Sequence, residues 1–392
     1  MEKQKQKQKQ KQNWVSSAVC FALIVALLLL PTGYENAGAG RPANEERVPA
    51  LVLSTDDSTI KDTGLVRSGE QSCQVQILAG SHKGETNRAG NMLSGSVEQD
   101  KIYKAGERAL VLVSADEGKI ASVSMIDHYR INGEIWLLLA FFALLMLFAG
   151  WTGLRAVLSF LLSVLAIWKV LVPCCLNGVN PILIGGLITA GLTILIIALV
   201  FGFNRIALAA CAGAVAGLTV TAALGIYCTN AFHIHGAVMS FSESLLYSGY
   251  ETLNLTQIFM ASIFIGSSGA MMDLSVDIAA AVNEVVQKRP DLNRFEAMMS
   301  GMRVGRAAMG TMTTTLLLAY SGSYIALLMV FMAQGTPLIN VFNYKYVASE
   351  IIHTIVGSFG LVAAAPLTAA AAGLLLAHPE KEADSINTAV TP

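Results

Sequence analysis

Beyond residue 134 this chain is built from apolar runs of about twenty residues or more, the length a helix needs to cross the hydrocarbon of a bilayer. Such runs dictate a helical bundle with lipid as its solvent, because helices satisfy every backbone polar group within the segment. Only 14% of the 392 residues are charged, against about 25% in soluble domains. Seven spans are expected, at about 135–150, 152–172, 179–201, 205–227, 256–279, 307–333 and 348–376. An earlier apolar run, Trp14 to Leu30, follows a Lys-Gln repeat over residues 1–12. It reads as a signal anchor, or as a signal peptide with Ala37-Gly38-Ala39 as the small-residue cleavage site. The repeat is low in complexity, and a basic disordered tail is expected over residues 1–13.

Lys and Arg placement orients the bundle. Arg155, Arg205 and the group Lys288, Arg289, Arg294, Arg303 and Arg306 fall on one side, whereas loops 173–178 and 228–255 carry neither residue and 334–347 holds Lys345 alone. The positive side faces the cytoplasm, so both termini are expected there if the first span is retained. Residues 31–134 then lie outside. They are polar and turn-rich, with Gln74–Leu78 and Ala109–Val113 reading as strands and Gly80, Gly84, Gly95, Gly106 and Gly118 as punctuation. The expected fold class is mostly α: a polytopic bundle of seven or eight spans over 135–377, with a small extracytoplasmic β-domain, OB-like in form, and a cytoplasmic tail over 378–392.

Glycines at Gly185, Gly186 and Gly191, at Gly213 and Gly217, and at Gly301 and Gly305 have the spacing that lets membrane helices approach closely, here within one chain. Six scattered cysteines contain no CxxC pair, which argues against structural zinc. They are expected to pack as small apolar residues, with a bridge from Cys174 or Cys175 to Cys228 the one conceivable disulfide. A net charge of -1 gives no field for nucleic acid. The lipid bilayer and an extracytoplasmic protein are the expected partners, and no cofactor is expected. The absence of GxxxxGK[ST], HExxH and GxSxG argues against a nucleotide-driven pump, a zincin and an α/β-hydrolase, and no catalytic constellation is visible.

The chemistry candidates are polar residues inside apolar helix. In Phe264–Glu284, Asp273, Asp277 and Glu284 stand at i, i+4 and i+11, within an arc of about 40° on a helix. A carboxylate in hydrocarbon costs roughly 2.5–3.5 kcal/mol and normally faces a protein interior or a wet cavity. Asp273 and Asp277 are therefore candidates for a protonatable or cation-binding step, with Glu284 nearer the rim. Gly266 and Gly269 offer a place for the helix to break, as at transporter midplane sites. Thr311, Thr314 and Thr315 share a face of the next span, either to coordinate an ion or meet Asp273, or to bond back to their own helix. Glu350 and His353, at i and i+3, form a polar pair near the outer end of the last span. His233 and His235 are weak metal candidates, aligned only if the backbone there is extended.

Several blocks resemble the YibE/F-like family of multispanning bacterial membrane proteins. They are IDHYRINGEIWLLLAFFALLMLFAG (126–150), VLVPCCLNGVNPILIG (170–185), GSSGAMMDLSVDIAAAVNE (266–284), MGTMTTTLLLAYSGS (309–323) and VASEIIHTIVGSFGLVAAAPLTA (347–369). The resemblance implies a polytopic protein with an extracytoplasmic N-terminal region, and it marks the Asp273 and Thr311–Thr315 blocks as signature regions. The chain departs from the family at Thr314, where the family usually places Asn. No catalytic residue carries over. Two functions remain open: an ion-coupled permease or exporter with Asp273 as the coupling carboxylate, or a non-transporting envelope scaffold whose β-domain recruits a partner.

Overall fold

The computed structural model describes residues 2–32 and 45–377. The small-residue site at Ala37–Ala39 and the tail 378–392 lie outside the described residues. The chain divides into two compact units, residues 33–148 and residues 1–32 together with 149–392.

In the first unit six strands follow one another: β1 (Glu45–Asp56), β2 (Lys61–Asp62), β3 (Arg67–Ile77), β4 (Thr86–Ser94), β5 (Arg108–Asp116) and β6 (Lys119–His128). Their order is β1-β5-β6-β4-β3-β2, and a further β1–β3 pairing closes five of them into a barrel. The β4–β6 contact is parallel and the other pairings are antiparallel. Period-two alternation makes the core: Cys73, Val75 and Ile77 of β3 and Ala109, Val111 and Val113 of β5 point inward. The expected strands Gln74–Leu78 and Ala109–Val113 fall on β3 and β5. Between β5 and β6 only Glu117 and Gly118 remain, both at positive φ (48° and 78°), which suits a tight hairpin to the right-handed strand twist.

The helices are α1 (Glu2–Leu29), α2 (Ile131–Ala166), α3 (Val172–Leu176), α4 (Pro181–Phe201), α5 (Arg205–Ala231), α6 (Ser242–Tyr247), α7 (Leu255–Lys288), α8 (Arg294–Ser321), α9 (Ile325–Ala333), α10 (Leu338–Asn343) and α11 (Lys345–Leu376). A π-helical turn, Ile167–Leu171, joins α2 to α3. Among the described residues, five helical runs are long and apolar enough to cross a membrane: Ile131–Leu176, α4, α5, α7 and α11. The bent pair α8–α9 makes a sixth if counted as one span. The two spans expected at 135–150 and 152–172 both fall within the first of these runs, as two helices meeting across a kink. The run is broken at Gly150, whose φ of 54° and ψ of -124° only glycine adopts readily.

α1 departs from expectation in one way. Helix continues back to Glu2 through the Lys-Gln repeat, replacing the expected disorder, and both residue types are good helix formers. The apolar run Trp14–Leu30 falls on this helix as far as Leu29. Cys20 and Ile24 are buried with Leu162 of α2 and Leu199 of α4.

The bundle packs around α7, which contacts α4, α5, α8 and α11. Small residues set these approaches, as the glycine spacing predicts. A Cβ at Gly301 would stand 2.8 Å from Val282 Cγ2 and 3.0 Å from Ala369 Cβ, and one at Gly217 would stand 2.7 Å from Ala364 Cβ. Gly185 meets Ala261, Gly305 meets Ala365 and Ile278, and Gly213 meets Thr368, while Gly186 and Gly191 face open space. Thr368 Oγ1 donates to Ser275 Oγ at 2.9 Å inside this core, tying α11 to α7. The six cysteines are free thiols, so no Cys174 or Cys175 bridge to Cys228 forms.

Candidate functional site

The Asn254 side chain starts α7 by accepting from the Gln257 N–H at 3.0 Å, and the helix then runs unbroken to Lys288. The expected interruption at Gly266 and Gly269 is absent. The broken helix is its neighbour, where α8 and α9 meet at 66° across Gly322–Tyr324. The sequence there is Ser321-Gly322-Ser323, and Gly/Ser pairs are among the places where helices kink.

Asp273, Asp277 and Glu284 share one face of α7, as their spacing requires, and that face is exposed. Leu274, Ser275, Ile278 and Ala279 on the other side are buried. Asp273 therefore does not point into the packed interior, contrary to expectation. The interior of α7 is filled by apolar and small residues, leaving the acids the one uncovered face. Glu284 closes a 2.9 Å ion pair with Lys288 one turn on, an exposed rim pair.

The threonine face resolves toward the plain alternative. Thr311 Oγ1 donates to Ala308 O at 3.0 Å, Thr314 to Gly310 O at 3.1 Å and Thr315 to Thr311 O at 3.0 Å. All three are exposed, and each hydroxyl proton is spent on its own helix. The packed side of α8 carries Gly301, Gly305 and Leu316 instead.

His233 and His235 are not set up for a metal. His233 has a φ of 54°, which breaks the extended alternation, and His235 Nδ1 accepts from the Ala237 N–H at 3.1 Å. No group of three His, Cys, Asp or Glu side chains among the described residues could hold a metal ion.

The sequence undervalued the pair on α11. His353 stacks on Tyr320 of α8 with ring centroids 4.5 Å apart, and Phe259 of α7 meets it edge-on at 6.4 Å. One ring nitrogen faces the Ser262 carbonyl. The other, Nε2, is buried and has no hydrogen-bond partner among the described residues. Glu350 Oε1, one turn earlier, is in the same state, and the Tyr324 hydroxyl faces the Glu350 carboxylate. With Nδ1–H turned to a carbonyl, Nε2 is the bare acceptor of the ring, ready to take a proton or a donor. Gly266 of α7 makes the space: a Cβ there would come within 2.6 Å of Tyr320 Oη and 3.1 Å of His353 Nε2.

Tyr320 and Tyr324 were missed in the sequence. Their signal is an i, i+4 pair flanking Gly322, visible only once the helix is known to break there. Gly266 and Asp273 lie seven residues apart, which places them within about 20° on one side of α7 and about 10 Å apart along it. One side of α7 thus passes from the His353–Glu350–Tyr320 cluster to Asp273, Asp277 and Glu284 in turn.

Long apolar helices packed through glycine, with buried titratable groups at a helix break, are the features of a helical membrane protein. The profile described as YibE/F-like protein matches residues 137–378, so the helical part of the chain lies almost wholly within it. The chain belongs to the YibE/F-like family. No curated protein and no solved structure matches it.

Proposed function

We propose that this protein is an ion-coupled permease or exporter, with Asp273 as the coupling carboxylate and Asp277 as its neighbour on the same route. The observation that carries this reading is the side of α7 on which the His353–Glu350 cluster, Asp273 and Asp277 follow one another. The Lys and Arg asymmetry supports a cytoplasmic Lys288 end, both termini inside, and the barrel on the far side of a bacterial plasma membrane. In that alternating topology α4 and α7 run the same way. Gly185 of α4 opposes Ala261, Phe264 and Ile265, so the Phe201 end of α4 is level with about residue 279 of α7. Asp273 then sits about 9 Å inside the apolar span of α4 and Asp277 about 3 Å inside. An uncovered carboxylate at that depth calls for water or an ion beside it. The packing of Cys20 and Ile24 supports α1 as a retained anchor.

The scaffold reading has an observation of its own. Leu65 (85% exposed) and Val97 (75%) stand at a groove of about 270 Å³ on the barrel, and the barrel's strand order matches that of OB folds, which often bind other molecules. Proteoliposomes separate the two. A transporter carries a proton or cation flux that Asp273→Asn removes and that deletion of residues 35–130 only modulates. A scaffold shows no flux above empty liposomes.

A further inference from the structure

The barrel has two ends, and strand direction fixes which one the first helix after it leaves from. β6 passes into α2 through Tyr129 and Arg130 alone, so the Cα atoms of His128 and Ile131 stand at most about 11 Å apart. The run that α2 opens is apolar and long enough to cross a membrane. His128 pairs with Ala109 near the start of β5, and Arg108 pairs with Leu51 in the second half of β1. Farther along β1, Asp56 pairs with Ser72 of β3, whose Ser68 pairs with Lys61 of β2 and Ser94 of β4. Loops 57–60, 63–66 and 95–107 therefore share the α2 end of the barrel, and loops 78–85 and 117–118 share the other.

The two ends differ in what they leave uncovered. Among the described residues of the barrel the exposed large apolar side chains are Leu53, Leu65, Met92 and Val97. Leu65 and Val97 stand on loops at the α2 end and line one groove, and Leu53 and Met92 lie within three residues of the strand ends there. The far loops read LAGSHKGE and EG and expose none. Both apolar tips are held in place. Around Leu65, Thr63 donates to Val66 O through its N–H at 3.0 Å and its hydroxyl at 2.9 Å, and Gly64 N–H donates to Asp62 Oδ1 at 2.7 Å. Around Val97, the Asp100 carboxylate accepts from the N–H groups of Ser94 at 2.8 Å, Gly95 at 2.7 Å and Ser96 at 3.0 Å. Charges at this end are paired, Arg67 with Asp62 at 2.7 Å and Arg130 with Asp127 at 2.9 Å. Ordered apolar tips among neutralised charges match a lipid surface, which takes up apolar side chains and asks for no net charge. The apolar surface continues past the barrel into α2, where Ile135, Trp136 and Leu137 are exposed and the Trp136 ring suits the headgroup level.

We propose that the α2 end of the barrel rests on the bilayer surface, with Leu65 and Val97 inserted between headgroups and acyl chains. The contact needs no flux, so it stands apart from the transport reading. It gives to lipid the two side chains that the scaffold reading gives to a protein. The test places a dansyl amino acid at Leu65, Val97 or Lys83, one position at a time, in the full chain. The chain sits in phosphatidylcholine nanodiscs whose acyl chains do or do not carry bromine. All three side chains are exposed, so the probes leave the core intact. Bromine quenches emission by about twofold or more at positions 65 and 97 and leaves position 83, on the far end, unchanged. The quenching persists at about 1 M NaCl, where the Debye length falls to about 3 Å. Emission at 65 or 97 that ignores bromine overturns the proposal, and a blue shift there without quenching assigns the groove to a protein. Equal quenching at all three positions overturns it too, because the contact would not select one end. So does quenching that salt abolishes, which would make the contact electrostatic.

Discussion

Gln71 of the barrel and His353 of the bundle both carry buried polar atoms, and their surroundings treat them in opposite ways. In the barrel Gln71 is fully buried, and its amide makes every bond it can. Nε2 donates to Asp57 Oδ1 at 2.8 Å and to Tyr103 O at 2.9 Å, while Oε1 accepts from Asn91 Nδ2 at 3.1 Å and Tyr103 N at 2.9 Å. In the bundle His353 Nε2 and Glu350 Oε1 are buried among aromatic rings with no such partners among the described residues. A satisfied network fixes strands to one another, and its loss exposes several orphaned groups at once. An unsatisfied buried group costs stability instead, so one that persists calls for a reason outside packing. The network around Gln71 ties the barrel's strands together, whereas His353 Nε2 and Glu350 Oε1 tie nothing among the described residues.

Substitutions can break that contrast. The largest effect expected is His353→Phe, which abolishes coupled flux in proteoliposomes while shifting unfolding by less than about 1 kcal/mol, since an orphaned buried acceptor is replaced by a ring that packs with Phe259 and Tyr320. Next comes Gln71→Leu, which strands four groups and destabilises the barrel by about 3 kcal/mol, read as faster hydrogen exchange across β3 and β4 in the full chain. Equal destabilisation by the two substitutions would erase the distinction.

How much of this was legible in the sequence follows from how local each signal is. The apolar runs and the strands Gln74–Leu78 and Ala109–Val113 are set by short-range periodicity and appear where expected, as do the contacts of Gly185, Gly213, Gly217, Gly301 and Gly305, though not of Gly186 and Gly191. The shared face of Asp273, Asp277 and Glu284 follows from helical geometry. What lies beyond that face depends on neighbouring helices, so its exposure did not show in the chain. The same holds for His353, whose significance comes from Tyr320, Ser262 and Gly266 on two other helices. Gly150 and Gly322 were unremarkable among 34 glycines, and only tertiary structure picks out the two where helices change course.

Smaller effects sharpen the contrast within the barrel. The Ser94 backbone N–H first, then the Ser94 hydroxyl and the N–H groups of Gly95 and Ser96, hold the Asp100 carboxyl below its ordinary range against a push from burial. Its folded pKa lies below the unfolded one, so its contribution is present above about pH 4 and is lost as pH falls through the folded value. Asp100→Asn therefore flattens the acid limb of the barrel's stability below about pH 4, measured by thermal melts. Burial, with the Asp57 carboxylate adding to it, pushes the Cys73 thiol up to about 11. Folded protein at pH 8 thus leaves Cys73 unalkylated by iodoacetamide, and denaturant exposes it. The smallest change expected is at Thr311→Val with Thr315→Val. Hydroxyls bonded to their own helix on an exposed face leave flux within about twofold of the parent.

Asp273 remains the residue on which the account turns, and one measurement bears on it most directly. Full-length protein and Asp273→Asn, reconstituted at equal density, are compared for proton and monovalent-cation flux with a pH dye and an ion indicator. The account predicts flux in the parent, at least a tenfold loss in the variant, and an unfolding temperature that moves by no more than a few degrees. Undiminished flux in Asp273→Asn would contradict it.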